Sequence, residues 1–226
     1  MKIGLAVSGT GGHLYPAISL AEFAKKQGDE IVFFCPKNST SLDILKSKKF
    51  DLIELNFCGW KGRKIISLLK TGFLFFGAFF KSILEISKND LDVVIGFGGY
   101  LAFPVCLAGK ILGKKIIIHE QNSYPGLSNL VLNRIADITA LGFIEAGGYF
   151  KDKNKLYFTG NPVRKEFLEI SAKYDGKKQN ILILGGSQGA TGLNKIVIES
   201  LKYLEDCKIN FTHIAGKKDK EFVEHA

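Results

Sequence analysis

Three glycine-rich turns each follow a short apolar run and lead into a helix-like stretch: Ser8-Gly9-Thr10-Gly11-Gly12-His13, Gly96-Phe97-Gly98-Gly99-Tyr100 and Gly185-Gly186-Ser187-Gln188-Gly189. The N-terminus of a helix turns its free N–H groups and the positive end of its dipole outward, which favours anions. Glycine lets the backbone come close to a phosphate. One such turn is common. Three, spread over both halves of a chain, point to repeated binding of phosphate-bearing ligands.

The surrounding pattern is that of a parallel sheet. Ile3–Val7 is a continuous apolar run, as buried parallel strands are. Pro16 sits early in the next segment, Ala17, Leu20, Ala21 and Ala24 recur at helical spacing, and Gly28 closes it. Further strands are expected at Ile31–Cys35, Asp92–Ile95 and Ile116–Ile118, with helices at Pro104–Leu112 and Asn129–Ile135. Tyr157–Arg164 reads as a short strand and a turn, and Lys173–Gln179 as a polar linker or surface loop. Ile181–Leu184 opens a new strand–turn–helix unit, with another strand near Asn210–Ala215. Alternating strands and helices predict an α/β fold with doubly wound parallel sheets, which bind ligands at the carboxyl ends of their strands. A domain boundary is placed at Arg164, giving units 1–164 and 165–226. The second is short for a doubly wound domain. Either it is incomplete or a partner supplies the rest.

Composition narrows the class. With 46% hydrophobic residues in 226, a sizeable core is available. The net charge of +9 favours anionic partners: nucleic acid, anionic lipid or a phosphorylated substrate. Cys35, Cys58, Cys106 and Cys207 form no C-x-x-C pair, so a zinc site or disulfide framework is not expected and reduced thiols are the default. The run Ile3–Val7 is too short for a signal-peptide core, and no apolar segment is long enough for a spanning helix. Between Trp60 and Lys81 the chain differs in kind. Lys61, Arg63 and Lys64 precede an aromatic-rich stretch that includes Ile65, Leu68, Leu69, Phe73 and Phe76. The apolar residues exceed one buried stripe, which favours a membrane-interface helix over a core helix with a basic cap.

Each motif has rivals. Leu14 and Leu101 stand where the dinucleotide fingerprint needs its third glycine, and no P-loop pattern occurs. Gly185-Gly186-Ser187-Gln188-Gly189 matches the nucleophile elbow formally, but only Asp206, Asp219, His213 and His225 follow it, so Ser187 is better read as a phosphate-binding hydroxyl. Asp90-Leu91-Asp92 resembles the D-x-D pair of metal-dependent sugar transferases but precedes its strand, so no metal is expected. His13 is either a general base or a residue that bonds a phosphate or caps the helix. His119-Glu120-Gln121-Asn122 ends a strand in four polar side chains. Arg164, after Asn161-Pro162-Val163, suits a phosphate contact or lies at a domain surface.

Taken in order, the three turns together with His119–Asn122 and Gly160–Arg164 resemble the MurG family, the bacterial N-acetylglucosaminyltransferases of peptidoglycan synthesis. The resemblance implies two Rossmann-like domains of GT-B type, the second incomplete here. It implies transfer of N-acetylglucosamine from UDP-GlcNAc to the muramyl 4-hydroxyl of lipid I, giving lipid II with inversion. No cofactor, catalytic metal or nucleic acid is implied. Thr10, Gly11, Gly12, Asn122, Arg164 and Ser187 become the expected UDP-GlcNAc contacts, and His13 the candidate base. Gly11, Gly12, His13, Gly98, Gly99 and Tyr100 would face the acceptor pyrophosphate. Lys64, Ile65, Leu68, Leu69, Phe73 and Phe76 would dock on an anionic membrane, at the cytoplasmic face of the inner membrane. A further C-terminal half, with most contacts to the donor, would lie beyond Ala226. The rivals are a non-catalytic acceptor-binding module that takes its donor half from a partner chain, and a related glycolipid transferase.

Overall fold

A computed structural model describes residues 1–8, 11–57, 65–169, 179–185, 189–204 and 209–225. The chain falls into two compact units, Met1–Glu169 and Ile170–Ala226.

The first unit is a seven-stranded sheet. Its strands are β1 (Lys2–Ala6), β2 (Glu30–Pro36), β3 (Asp51–Leu55), β4 (Val93–Gly96), β5 (Lys115–Glu120), β6 (Ile138–Leu141) and β7 (Leu156–Phe158). They lie in the order β3-β2-β1-β4-β5-β6-β7, and every pairing is parallel. The helices are α1 (Gly11–Lys26), α2 (Thr40–Ser47), α3 (Ile65–Lys88), α4 (Gly99–Ile111), α5 (Leu127–Leu132) and α6 (Lys165–Leu168). Two buried clusters cover the two faces of the sheet. One joins Leu5, Val7, Ile31 and Phe33 to Leu14, Ile18 and Ala21 of α1 and Leu42 and Leu45 of α2. The other joins Phe34, Ile53, Val94 and Ile116 to Ala78 and Ile86 of α3, Leu101 and Val105 of α4 and Leu132 of α5. Strands flanked on both faces bury every side chain, so their sequences are continuously apolar. β1 approaches its neighbours closely: a Cβ at Gly4 would meet the Phe34 ring and Leu91.

Helix boundaries depart from the sequence pattern. α4 begins at Gly99, ahead of the expected Pro104, so the second glycine turn is the helix N-terminus itself. Pro16 and Pro104 lie inside α1 and α4, past the first turn, and each leaves one backbone carbonyl of that turn without its usual donor. α5 runs Leu127–Leu132 where Asn129–Ile135 was expected; turns continue past it to Ala136, and the Asn133 side chain bonds Thr139 and the backbone of Asp152. α2, β3 and β6 are further elements that the strongest apolar runs do not mark.

The second unit contains β8 (Gln179–Leu184), α7 (Thr191–Leu201), β9 (Ile209–Ile214) and α8 (Lys220–Glu224), with β8 and β9 paired in parallel. Asn194 of α7 holds its turns together. Its amide donates to Ala215 O (3.0 Å) and Asp219 Oδ2 (3.0 Å), and its Oδ1 lies 2.9 Å from His213 Nε2.

Phe34→Ala removes a fully buried ring from between β1 and the second helix layer. It is expected to lower unfolding stability by about 3–5 kcal/mol in urea denaturation. A loss under about 1 kcal/mol would contradict this packing.

Candidate functional site

Strand order reverses between β1 and β4, and connections leave these two strands toward opposite faces. A crevice opens there at the carboxyl ends, where doubly wound sheets take their ligands. The first two glycine turns flank it, so the N-termini of α1 and α4 converge on one place.

Ser8 ties them together. It is buried at the end of β1, with Oγ 3.1 Å from His13 Nδ1 and 3.4 Å from Gly98 O, to which it donates. Gly98 and Gly99 both hold positive φ, 80° and 69°. A Cβ at Gly99 would collide with Ser8 Oγ, so both the backbone angle and the space demand glycine. His13, on the first turn of α1, lies with its ring against Gly98 and Gly99.

The polar end of β5 forms the floor. His119, Glu120 and Gln121 are buried. Gln121 Nε2 lies 3.0 Å from His119 Nδ1, and His119 Nε2 lies 3.2 Å from Gly160 O. An amide nitrogen only donates and a carbonyl only accepts, so the ring is the neutral tautomer with its proton on Nε2. Glu120 accepts from Asn122 N (3.0 Å), Asn122 Nδ2 (3.0 Å), Gly126 N (3.1 Å) and Asn129 Nδ2 (2.8 Å). These bonds fold residues 120–129 into a tight loop. Asn161 Nδ2 donates to Gln121 O at 3.1 Å. Gln121 Oε1, Asn129 Oδ1 and Asn161 Oδ1 are buried with no hydrogen-bond partner among the described residues.

Two clefts meet at Asn122. The larger, of about 760 Å³, is lined by His13, Gly99, Tyr100, Phe103, Asn122 and Leu127, among others. Its lining is mixed, with His13, Asn122 and Ser128 beside Phe103, Leu127 and Val131. The smaller, of about 380 Å³, runs past Gly11, Gly12, Tyr15, Asn161 and Arg164. There the Arg164 guanidinium stands 4.8 Å from the Tyr15 ring and 4.6 Å from the Phe167 ring. Each cation–π contact is worth about 0.5–1 kcal/mol at an exposed site, enough to hold the guanidinium over the cleft.

Of the residues singled out in sequence, the structure brings Gly11, Gly12, His13, Gly98, Gly99, Tyr100, Asn122 and Arg164 around these two clefts. Thr10, Lys64 and Ser187 lie outside the described residues, and so do the side chains of Ile65, Leu68 and Leu69. Phe73 and Phe76 are exposed on α3. Asp90 and Asp92 sit at the opposite edge of the sheet, where Asp92 Oδ2 accepts from Lys2 N at 2.8 Å. Among the described residues, no group of three or more His, Cys, Asp or Glu could hold a metal ion.

Sequence reasoning left Ser8, Glu120 and Tyr15 without roles. Glu120 carried a signal, a carboxylate at the end of an apolar strand. Tyr15 carried none, because its ring meets Arg164 only after the chain has folded.

The glycosyltransferase family 28 N-terminal domain profile matches residues 3–141, and the C-terminal domain profile matches 180–226. The chain belongs to glycosyltransferase family 28. It is 35% identical over 229 residues to the UDP-N-acetylglucosamine--N-acetylmuramyl-(pentapeptide) pyrophosphoryl-undecaprenol N-acetylglucosamine transferase of Myxococcus xanthus, covering 99% of this chain and 60% of that protein. It is 36% identical to the protein of the same name from Nitrosospira multiformis, over 97% of this chain and 62% of the relative. Among solved structures, Acinetobacter baumannii MurG superposes with a TM-score of 0.74 at 28% identity, covering 99% of this chain and 63% of that one. The fold is thus the α/β fold of GT-B glycosyltransferases. The chain spans about three fifths of the length of these relatives.

The imidazoles of His13 and His119 both resist protonation. Burial lowers each, and it outweighs the opposing pull of Glu120 on both and, for His119, of the Gly160 carbonyl. The unfolded chain takes up these protons near pH ~6.5, and the folded chain only below that. Stability is therefore full above this range and falls as pH drops through it. The urea midpoint is expected to fall between about pH 7 and 5, with a shallower slope in His13→Gln. Equal slopes would show that His13 is not held neutral.

Proposed function

We propose that this chain carries the acceptor side, and part of the donor side, of an inverting transferase. It moves N-acetylglucosamine from UDP-GlcNAc to the muramyl 4-hydroxyl of an undecaprenyl-pyrophosphoryl acceptor, lipid I, forming lipid II. The observation that carries the reading is the convergence of two helix N-termini and His13 on one crevice, in a chain whose relatives are named for this reaction.

In this reading the acceptor pyrophosphate lies against Gly98, Gly99 and the start of α1, where N–H groups and helix dipoles meet its charge. His13 takes the proton of the 4-hydroxyl. The hydroxyl oxygen attacks the anomeric carbon from the face opposite the phosphate. The bond from that carbon to the phosphate oxygen breaks, and UDP leaves with the electron pair. A neutral imidazole at physiological pH can accept the proton, and burial keeps it neutral. Arg164, braced on Tyr15 and Phe167, faces the smaller cleft and would bind donor phosphate together with Gly11, Gly12 and Asn122.

The same proposal places α3 against an anionic membrane at the cytoplasmic face. Leu74, Phe75, Phe79 and Ile83 turn into the core, while Phe73 (81% exposed), Phe76, Phe80 and Leu84 form an outward stripe at helical spacing. Among the described residues no helix is long and apolar enough to cross a membrane, so the stripe fits a helix lying in the interface.

In the complete transferase, supplied with UDP-GlcNAc and lipid I, His13→Ala is expected to lower kcat by about 10²–10⁴. Acceptor binding without transfer would favour the acceptor-module reading, and full turnover of the variant would remove His13 from the mechanism. Phe73→Glu with Phe76→Glu is expected to weaken sedimentation with phosphatidylglycerol vesicles at least about tenfold, since each buried ring contributes about 1.5–3 kcal/mol. Unchanged binding would move the docking face elsewhere.

A further inference from the structure

Glu120 is 1% exposed, lies beneath the larger cleft, and has no partner cation among the described residues. A buried carboxylate is costly unless its lone pairs are filled. Here four donors fill them: two from Asn122, the Gly126 N–H and the Asn129 amide. Those partners begin and end the loop that lines the cleft. Asn129 extends the arrangement toward the reacting end. Its Nδ2, shared between Glu120 Oε2 and His119 O, and the His13 ring lie on the same side of Gly98, where a Cβ would meet both. Glu120 thus lies one amide away from the place beside Gly98 where the His13 ring sits.

We propose that Glu120 is a positioning residue for the transfer: its carboxylate fixes the 120–129 wall of the cleft and supplies the negative charge that stabilises His13 as it takes up the acceptor's proton. The inference rests on the transferase reading above. A base that becomes cationic during reaction gains from a fixed anion nearby, more so where water is excluded. Direct contact is not required, because the attraction acts through space. The attraction of Glu120 favours the charged form of His13, against the burial that disfavours it. Other titratable groups around this end of the cleft are His119 on β5, Tyr100 on α4 and Tyr124 in the loop. Burial holds His119 uncharged in the tautomer described above.

The test is a proton NMR titration of the imidazoles in the 226-residue chain, with the His13 signal identified by its loss in His13→Gln. It is run beside kcat and KM as functions of pH. In Glu120→Gln the His13 midpoint is expected to move to lower pH while that of His213 stays. The acid limb of the activity profile moves with it, and kcat falls about tenfold or more with KM for UDP-GlcNAc unchanged. A His13 midpoint that does not move, or a loss of turnover equal at every pH, overturns the proposal. Should Glu120→Gln not fold, Asn129→Ala replaces it. That variant keeps the charge but loses the amide, so kcat should fall with the acid limb in place, and unchanged kcat overturns the positioning role. The titration needs no turnover. If no transfer occurs at all, the transferase reading fails, while the coupling between Glu120 and His13 still stands or falls by the shift.

Discussion

The parallel pairing of β1 with β2 on one side and β4 on the other is the constraint on which the site depends. Because each crossover must return to the same end of the sheet, every strand delivers its carboxyl end to one edge. Because α1 and α4 belong to opposite layers, their N-termini are separated at that edge by a crevice. Ser8 spans it, and the missing side chain of Gly99 lets it do so. A larger residue at position 99 would separate the two turns and with them His13 from the loop that faces it.

The polar floor is as much a part of this design as the glycine turns. A strand that is apolar from Ile116 to Ile118 ends in His119 and Glu120, and the structure buries both. Each polar atom that is tied down fixes a piece of backbone: Gly160 through His119, Asn122 and Gly126 through Glu120. The loops around the crevice are therefore held by buried hydrogen bonds and not by apolar packing alone. A network of this kind sets loop geometry closely, since each unmade bond in it costs about 1–3 kcal/mol. Such positions serve binding better than a flexible loop would, because less ordering is left for the ligand to impose.

α3 shows the same division on its two sides. One stripe joins the core through Phe75, Phe79, Ile83 and Ile86, and the other presents Phe73, Phe76, Phe80 and Leu84 outward. Phe75 packs on Phe57 and Phe103, and Phe57 on Tyr100, so a continuous aromatic layer runs from this helix to the wall of the larger cleft. The outward stripe and the crevice thus lie on neighbouring parts of one unit.

By itself the sequence determined the strand–turn–helix repeats, the parallel α/β class and the second glycine turn, because these rest on local periodicity and on backbone angles open chiefly to glycine. It also marked His13, Asn122 and Arg164, polar residues placed where strands end. Only the tertiary structure decided that Ser8 joins the first two turns, that Arg164 stacks on Tyr15, and that Glu120 is enclosed by four donors within reach of His13. It also decided that α4 starts at Gly99, five residues ahead of the proline signal. The physical reason is range. Spacing along the chain fixes what a few neighbouring residues can do, whereas a buried charge and its donors are fixed by strands and loops that meet only when the sheet has closed.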